Sequence, residues 1–399
     1  MYLMAEEFIQ TTGPSEFSEG VSDLPDEYSQ SSQLAQLPEK EKPSLLPGFK
    51  DICFRIGLMM IVVFSARAVC SAVVTLLVNN SDIGTLSPFV QELISTAFSI
   101  AFLYVVPMTA SAFILKHPLK NSPNRVYARP KYFGKAIAMF PAGYGLAMAV
   151  RLISIWIGSF FARGTGLGDS FHATEGMFDA ADTAAAVLTF VQLAVIAPIF
   201  EELWFRGLVL ESLRPYGNGF AIFISAILFG LTHSNFEQFF YAVAVGVFLG
   251  YIAISTKSIV TTTVMHSMLN SVFGVIMLLM ADKSVMEYLM ADDASEVGIT
   301  PGIVMYFIWM GLVPMLMAVG IIMLIYKLVK IRRYRVPKVQ TEISSPRRWG
   351  IFFSRATVIV MLILAMDSFT YKLIPNTLYI LFVYPSALPA YYQNVFGFK

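Results

Sequence analysis

The chain has 399 residues, of which 56% are hydrophobic and only 14% charged, and its net charge is +1. Soluble domains carry about a quarter charged residues. So small a polar complement does not coat a water-soluble fold, and a mean hydropathy of +0.65 fits lipid contact. The balanced charge gives no electrostatic footprint for nucleic acid, and Cys53 and Cys70, both in the first hydrophobic run, make no disulfide framework.

In chain order, residues 1–47 hold nine acidic residues against two lysines. Such a segment buries too little apolar surface to offset its ordering entropy, so a disordered acidic tail is expected. Neither a basic-then-apolar secretion signal at the start nor a prenylation box at the end is expected. Apolar runs then follow near 51–78, 88–115, 134–161, 183–213, 219–234, 237–255, 258–281 and 301–329. A spanning helix needs about 20 largely apolar residues. Residues 48–330 are therefore expected to form an all-α polytopic membrane bundle with eight core transmembrane helices. The run at 219–234 is short, and the turn Pro215-Tyr216-Gly217-Asn218-Gly219 opens it. Residues 331–399 are a basic linker and an apolar extension. Its two weaker segments, near 350–367 and 375–395, contain Asp367, Pro385 and Pro389.

Cytoplasmic loops collect Lys and Arg. Lys40, Lys42 and Lys50 precede the first run, and Lys116, Lys120, Arg125, Arg129, Lys131 and Lys135 follow the second. Arg214, Lys257 and the group Lys327, Lys330, Arg332, Arg333 and Arg335 continue the same alternation. The intervening loops are neutral or acidic: 79–87 has no basic residue, and 282–300 sets Lys283 against five acids. An integral membrane protein with a cytoplasmic N-terminus is expected.

Ionisable residues inside a spanning segment are costly and mark function or pairing. The fourth run contains Glu201-Glu202-Leu203-Trp204-Phe205-Arg206. Adjacent carboxylates on a helix point about 100° apart. Glu202 and Arg206 are spaced i, i+4 for an ion pair, which leaves Glu201 for another partner. His117 and His172 fall in loops, whereas His233 and His266 fall in apolar runs, with Asn270 one turn after His266. At the helical rise, Glu201 lies about 18 Å from Leu213, His233 about 21 Å from Gly219, and His266 and Asn270 about 12 and 18 Å from Ser258. Groups from three helices thus reach one depth band of a core about 30 Å thick. A lone intramembrane histidine is as often a helix–helix hydrogen bond; four polar groups at one level point instead to a buried site. Arg55 is expected to snorkel to the inner surface. Arg67, Glu92 and Arg151 either pair within the bundle or line a polar inlet, with the structural reading favoured.

That residue set suits peptide hydrolysis by water. A desolvated carboxylate takes a proton from water, and a neighbouring histidine shares that water or donates to the leaving amine. Asn270 and His266 offer N–H groups for an oxyanion, where one donor is worth about 3–4 kcal/mol. No serine or cysteine stands beside a base, so direct attack by water is the more economical reading, and no cofactor is expected. Zinc is the alternative, since Glu and His are legitimate ligands, although the HExxH spacing is absent.

The three motifs in order, Glu201-Glu202-x-x-x-Arg206, Phe229-Gly230-Leu231-Thr232-His233 and His266-Ser267-Met268-Leu269-Asn270, resemble those of the CPBP family. That family comprises CAAX-type, bacteriocin-processing and Abi intramembrane endopeptidases, including the type II CAAX prenyl endopeptidases. The resemblance covers roughly 183–281. It implies that Glu201 and His233 activate water, that His266 and Asn270 form the oxyanion hole, that Glu202 and Arg206 brace the helix, and that Phe229 packs below His233. It implies a glutamate-type protease, although the family is often labelled a metalloprotease. The expected partners are the lipid bilayer and a membrane-associated protein or peptide, whether a prenylated C-terminus or a bacteriocin-like precursor. A non-catalytic scaffold or self-immunity protein, and less readily a proton-coupled transporter, remain the other readings.

Overall fold

The computed structural model describes residues 46–80, 85–115, 130–162, 183–293, 295, 297–329 and 343–370. The acidic segment up to residue 45, the loop at 163–182, the basic linker at 330–342 and the weak segment at 375–395 lie outside the described residues, as do His117 and His172.

Among the described residues the elements are helical. Helix α1 is Leu46–Asn80. Helix α2 covers 88–115 and has a widened stretch at Ile100–Val105. Helix α3 is Phe140–Ala162, entered through a short turn of helix at Phe133–Ile137. Helix α4 covers 183–213 and is widened twice, at Gln192–Ile196 and Glu202–Leu210. Then come α5 (Asn218–Leu231), α6 (Phe236–Thr256), α7 (Ile259–Met280) and α8 (Lys283–Met290). Helices α9 (Pro301–Val329), α10 (Ser345–Phe353) and α11 (Ala356–Thr370) complete the set. The chain is an integral, multi-pass all-α membrane protein. Seven helices among the described residues are long and apolar enough to cross a bilayer, and α10 with α11 makes an eighth if that pair, bent by 67°, counts as one crossing.

The run expected at 219–234 differs in form. Helix α5 has 14 residues, about 21 Å of rise, which is short of a bilayer core of about 30 Å. It begins after Gly217, whose φ of 126° suits a residue without Cβ. It ends in a tight corner at Thr232-His233-Ser234-Asn235, where Ser234 is left-handed and the Asn235 carboxamide accepts the Gln238 amide at 2.7 Å to cap α6. α5 and α6 are thus a hairpin, and His233 sits at its tip. The weak run at 350–367 is also not one rod: it falls across α10 and α11, which meet at the bend.

The two wide stretches at Ile100–Val105 and Gln192–Ile196 have a common cause. Val106 N–H reaches back five residues to Ala101 O, and Ala197 N–H reaches back five to Gln192 O. Pro107 and Pro198 follow at once. Proline supplies no N–H, and its ring displaces the carbonyl four residues back. Each helix accommodates this by taking in an extra residue.

Packing is tightest where α1, α4, α5 and α6 meet. Phe49, Ile56, Met59, Leu208, Ile224, Phe229 and Leu249 are wholly or almost wholly buried there. Helix α11 lies along α1, and α3 packs against both α6 and α9. Bare backbone sets two of these crossings. A Cβ on Gly57 would meet Thr357 and Val358, and one on Gly145 would meet Gly320. Small residues let membrane helices approach this closely. α9 carries many exposed apolar groups, among them Phe307, Ile308, Met315 and Ile322, as a lipid-facing helix should. Arg55 does more than snorkel: it pairs with Asp51 at 2.6 Å and donates to Ile114 O at 2.8 Å, closing the last turn of α2.

Candidate functional site

Glu202 is the fixed point. Its side chain and that of Arg206 are fully buried, and Arg206 Nη1 donates to Glu202 Oε1 at 2.8 Å. A buried charge persists only when paired and hydrogen-bonded. The remaining guanidinium contacts are a 3.3 Å bond to Gly246 O and the face of Phe229, 4.9 Å away. His266 Nδ1 lies 2.9 Å from the same Glu202 oxygen. One carboxylate oxygen therefore joins α4 to α7, while Arg206 carries the link on to α6.

Glu201 is turned differently. Its carboxylate keeps 19% of its exposure, and its Oε2 lies 3.7 Å from His266 Nε2, too long for a hydrogen bond. The two adjacent glutamates thus bracket the two nitrogens of one imidazole. Glu201 also lies in the field of Arg67 and Arg206. Arg67, from α1, donates to Thr232 O in the corner that carries His233. Of the two readings left open for Arg67, pairing within the bundle is the one observed.

His233 Nδ1 lies 3.0 Å from Phe229 O. A neutral ring donates there and keeps Nε2 as an acceptor. Phe229 is the hub between the histidines: its ring meets His233 at 5.0 Å and His266 at 5.5 Å, edge-on in both cases. Asn270 Nδ2 donates to Leu193 O at 2.9 Å. Pro198 explains that bond. In the widened ladder the carbonyl of Leu193 would look to residue 198 for its donor, and proline has none. Asn270 supplies it, and an amide nitrogen keeps a second hydrogen for another acceptor.

Residues 183–272 match the family described as "Type II CAAX prenyl endopeptidase Rce1-like". That match covers 90 of the 399 residues. The chain is also 28% identical over 145 residues to the Bacillus subtilis (strain 168) protein named "Putative membrane peptidase YdiL", a match that covers 36% of this chain and 57% of that one. The match thus spans less than two thirds of that relative. No solved structure matches the chain.

The matched segment contains all six residues singled out from the sequence, and Glu201, Glu202, Arg206 and His233 each meet His266 or the Phe229 ring. Glu202 and Arg206 pair with each other, and His266 joins them. Asn270 is occupied on one hydrogen by Leu193 O rather than standing beside His266 as a second free donor. His233 bonds to its own helix. Among the described residues, no three His, Cys, Asp or Glu side chains are grouped as a metal would require. At Glu202 the Arg206 cation already holds the carboxylate.

Sequence reasoning missed Gln192 and Tyr104. Tyr104 stacks on Phe200, the neighbour of Glu201, at 5.3 Å, and Gln192 accepts from Thr96 at 3.2 Å. Pro107 and Pro198 were the available signal, since a proline inside an apolar run marks a place where the helix face turns.

Proposed function

We propose that the chain is an intramembrane endopeptidase in which Glu201 activates water. The observation that carries this reading is the unlike setting of two neighbouring glutamates. Glu202 is sealed by Arg206 and His266, whereas Glu201 is partly open, with no cation bonded to it. Glu201 takes one proton from a water molecule, whose other hydrogen is accepted by His233 Nε2. The hydroxide oxygen bonds to the peptide carbonyl carbon as the carbonyl electron pair moves to oxygen. The second N–H of Asn270 meets that oxyanion. His266 joins it only with both nitrogens protonated, because its Nδ1 hydrogen is directed at Glu202. Collapse breaks the C–N bond, and the proton held by Glu201 leaves with the amine. The substrate class supported by the family is a membrane-associated protein or peptide, either a prenylated C-terminus or an unlipidated precursor.

The test is peptide mass spectrometry of membrane and medium from cells carrying wild type or Glu201→Gln. At least one product is expected to vanish in the variant, which still folds, and purified wild type keeps its turnover after exhaustive chelation. Unchanged peptide profiles would end the protease reading in favour of a scaffold or immunity role, and loss of proton-coupled uptake would favour transport. Activity restored only by zinc would replace the metal-free chemistry.

A further inference from the structure

One interface of the bundle carries polar groups that the chemistry above does not use. Glu92 and Thr96 lie one turn apart on α2, and Thr189 and Gln192 lie one turn apart on α4. Thr189 donates to Glu92 at 3.0 Å, and Thr96 lies 3.4 Å from the same Glu92 oxygen and 3.2 Å from Gln192 Oε1. Farther along α2, Tyr104 stacks at 5.3 Å on Phe200, the residue before Glu201. Polar groups are thus joined from Glu92 to Gln192, and the stacked Tyr104 carries the same interface on to the residue beside Glu201.

The levels agree. Counted from the start of each helix at the helical rise, Glu92 and Thr189 lie about 6 and 9 Å in, and Thr96 and Gln192 about 12 and 14 Å in. Tyr104 and Glu201 lie about 24 and 27 Å in. α2 and α4 therefore start at one end of the bundle and descend side by side, matching polar groups at each step. The proline-linked wide turns keep the seam continuous. One extra residue rotates everything beyond it by about 100° relative to an unbroken α-helix. Tyr104 lies within the wide turn at Ile100–Val105, and Glu201 lies beyond the one at Gln192–Ile196.

Elsewhere these helices show apolar side chains to the lipid, including Leu93 and Val195, each 46% exposed. A hydrolase in a bilayer needs water at its base, and a line of hydroxyl, amide and carboxylate groups holds water where alkyl groups do not. We propose that this seam between α2 and α4 is the route by which water reaches Glu201 from the end of the bundle where the two helices begin. The proposal rests on the endopeptidase reading for its purpose but not for its test.

The experiment uses the full chain in proteoliposomes, with Cys53→Ala and Cys70→Ala removing the native thiols. Single substitutions Thr96→Cys, Thr189→Cys and Gln192→Cys are compared with Leu93→Cys and Val195→Cys, which stand at similar levels on lipid-facing positions. The probe is a charged, membrane-impermeant methanethiosulfonate, added to one side and then the other. The seam cysteines are expected to react at least tenfold faster than the lipid-facing pair, from one side only. Equal rates, or no reaction at the seam, would overturn the route and leave the polar groups as helix–helix fastening. A second arm reads turnover: Gln192→Leu and Thr96→Val lower kcat at least tenfold with KM unchanged, and Thr96→Ser restores it, which mere fastening would not require. Labelling needs no catalysis, so a seam that labels in a protein that cuts nothing retains the route and sinks the protease. Glu201-dependent cutting with an unlabelled seam does the reverse.

Discussion

Two adjacent carboxylates in one helix have been given different tasks by their neighbours. Glu202 accepts from Arg206 and His266 at 2.8 and 2.9 Å, and its carboxylate cannot move without exposing a buried cation. Removing one partner of a buried pair costs about 3–5 kcal/mol, because the other charge is left without compensation. Arg206→Met is expected to lose that much in denaturant unfolding in detergent. Glu202→Gln combined with Arg206→Met should recover most of it, since both charges then go together. Glu201→Gln, by contrast, should unfold like wild type, because no hydrogen bond of the fold is lost with its charge. If Glu201→Gln proved as destabilising as Arg206→Met, Glu201 would be a structural group and not the base.

At the scale of the element, the prolines inside α2 and α4 matter more than the lengths of those helices. Pro198 denies Leu193 O its backbone donor, and Asn270 on α7 takes the vacancy at 2.9 Å. Pro198→Ala is expected to let the helix close its own ladder, freeing Asn270 and rotating Glu201 away from His266. Turnover should fall at least a hundredfold while the melting temperature holds or rises, as replacing an interior proline relieves a helix. A second element shows ordinary capping. Asp282 accepts from the Ser284 hydroxyl at 2.6 Å and the Ser284 amide at 2.9 Å at the start of α8. The Ser284 hydroxyl, ahead of the two backbone amides, holds this carboxyl below the usual carboxylate range. With the folded value depressed, the stabilisation is full above about pH 4, the ordinary carboxyl value, and is lost as pH falls further through the folded value. Amide exchange at Ser284 and Val285 should therefore quicken below that pH. Asp282→Ala should remove about 1 kcal/mol of protection at neutral pH, and the pH dependence with it.

In the whole molecule, crossings built on bare backbone hold the outer helices to the central bundle. A Cβ on Gly320 would strike the carbonyl of Pro141 and the backbone of Gly145, whereas one on Gly311 of the same helix would meet open space. Gly320→Leu is expected to cost about 2 kcal/mol or more by overpacking. Gly311→Leu should cost nothing measurable on the same unfolding curve, which separates the crossing from any effect of side-chain bulk on α9. The cavities on the molecule tell the same story of inside and outside. The space bounded by Val272, Trp309, Leu312 and Val319, between α7 and α9, is lined by apolar side chains.

Hydropathy, loop charge and the order of three motifs were enough to announce a membrane bundle and to single out Glu201, Glu202, Arg206, His233, His266 and Asn270. The reason is local: burying charge in lipid is so costly that any ionisable residue in an apolar run declares itself from the sequence. What the sequence alone did not decide is which atom each of those residues holds. That Asn270 serves Leu193, that Arg67 reaches Thr232, and that Gln192 meets Thr96 all depend on how far each helix has turned by the time it reaches the site. A wide turn after one residue or the next changes that angle by about 100°. His233 shows the same division: its depth follows from counting residues, but its place at a hairpin tip follows from a corner whose left-handed Ser234 only tertiary packing selects.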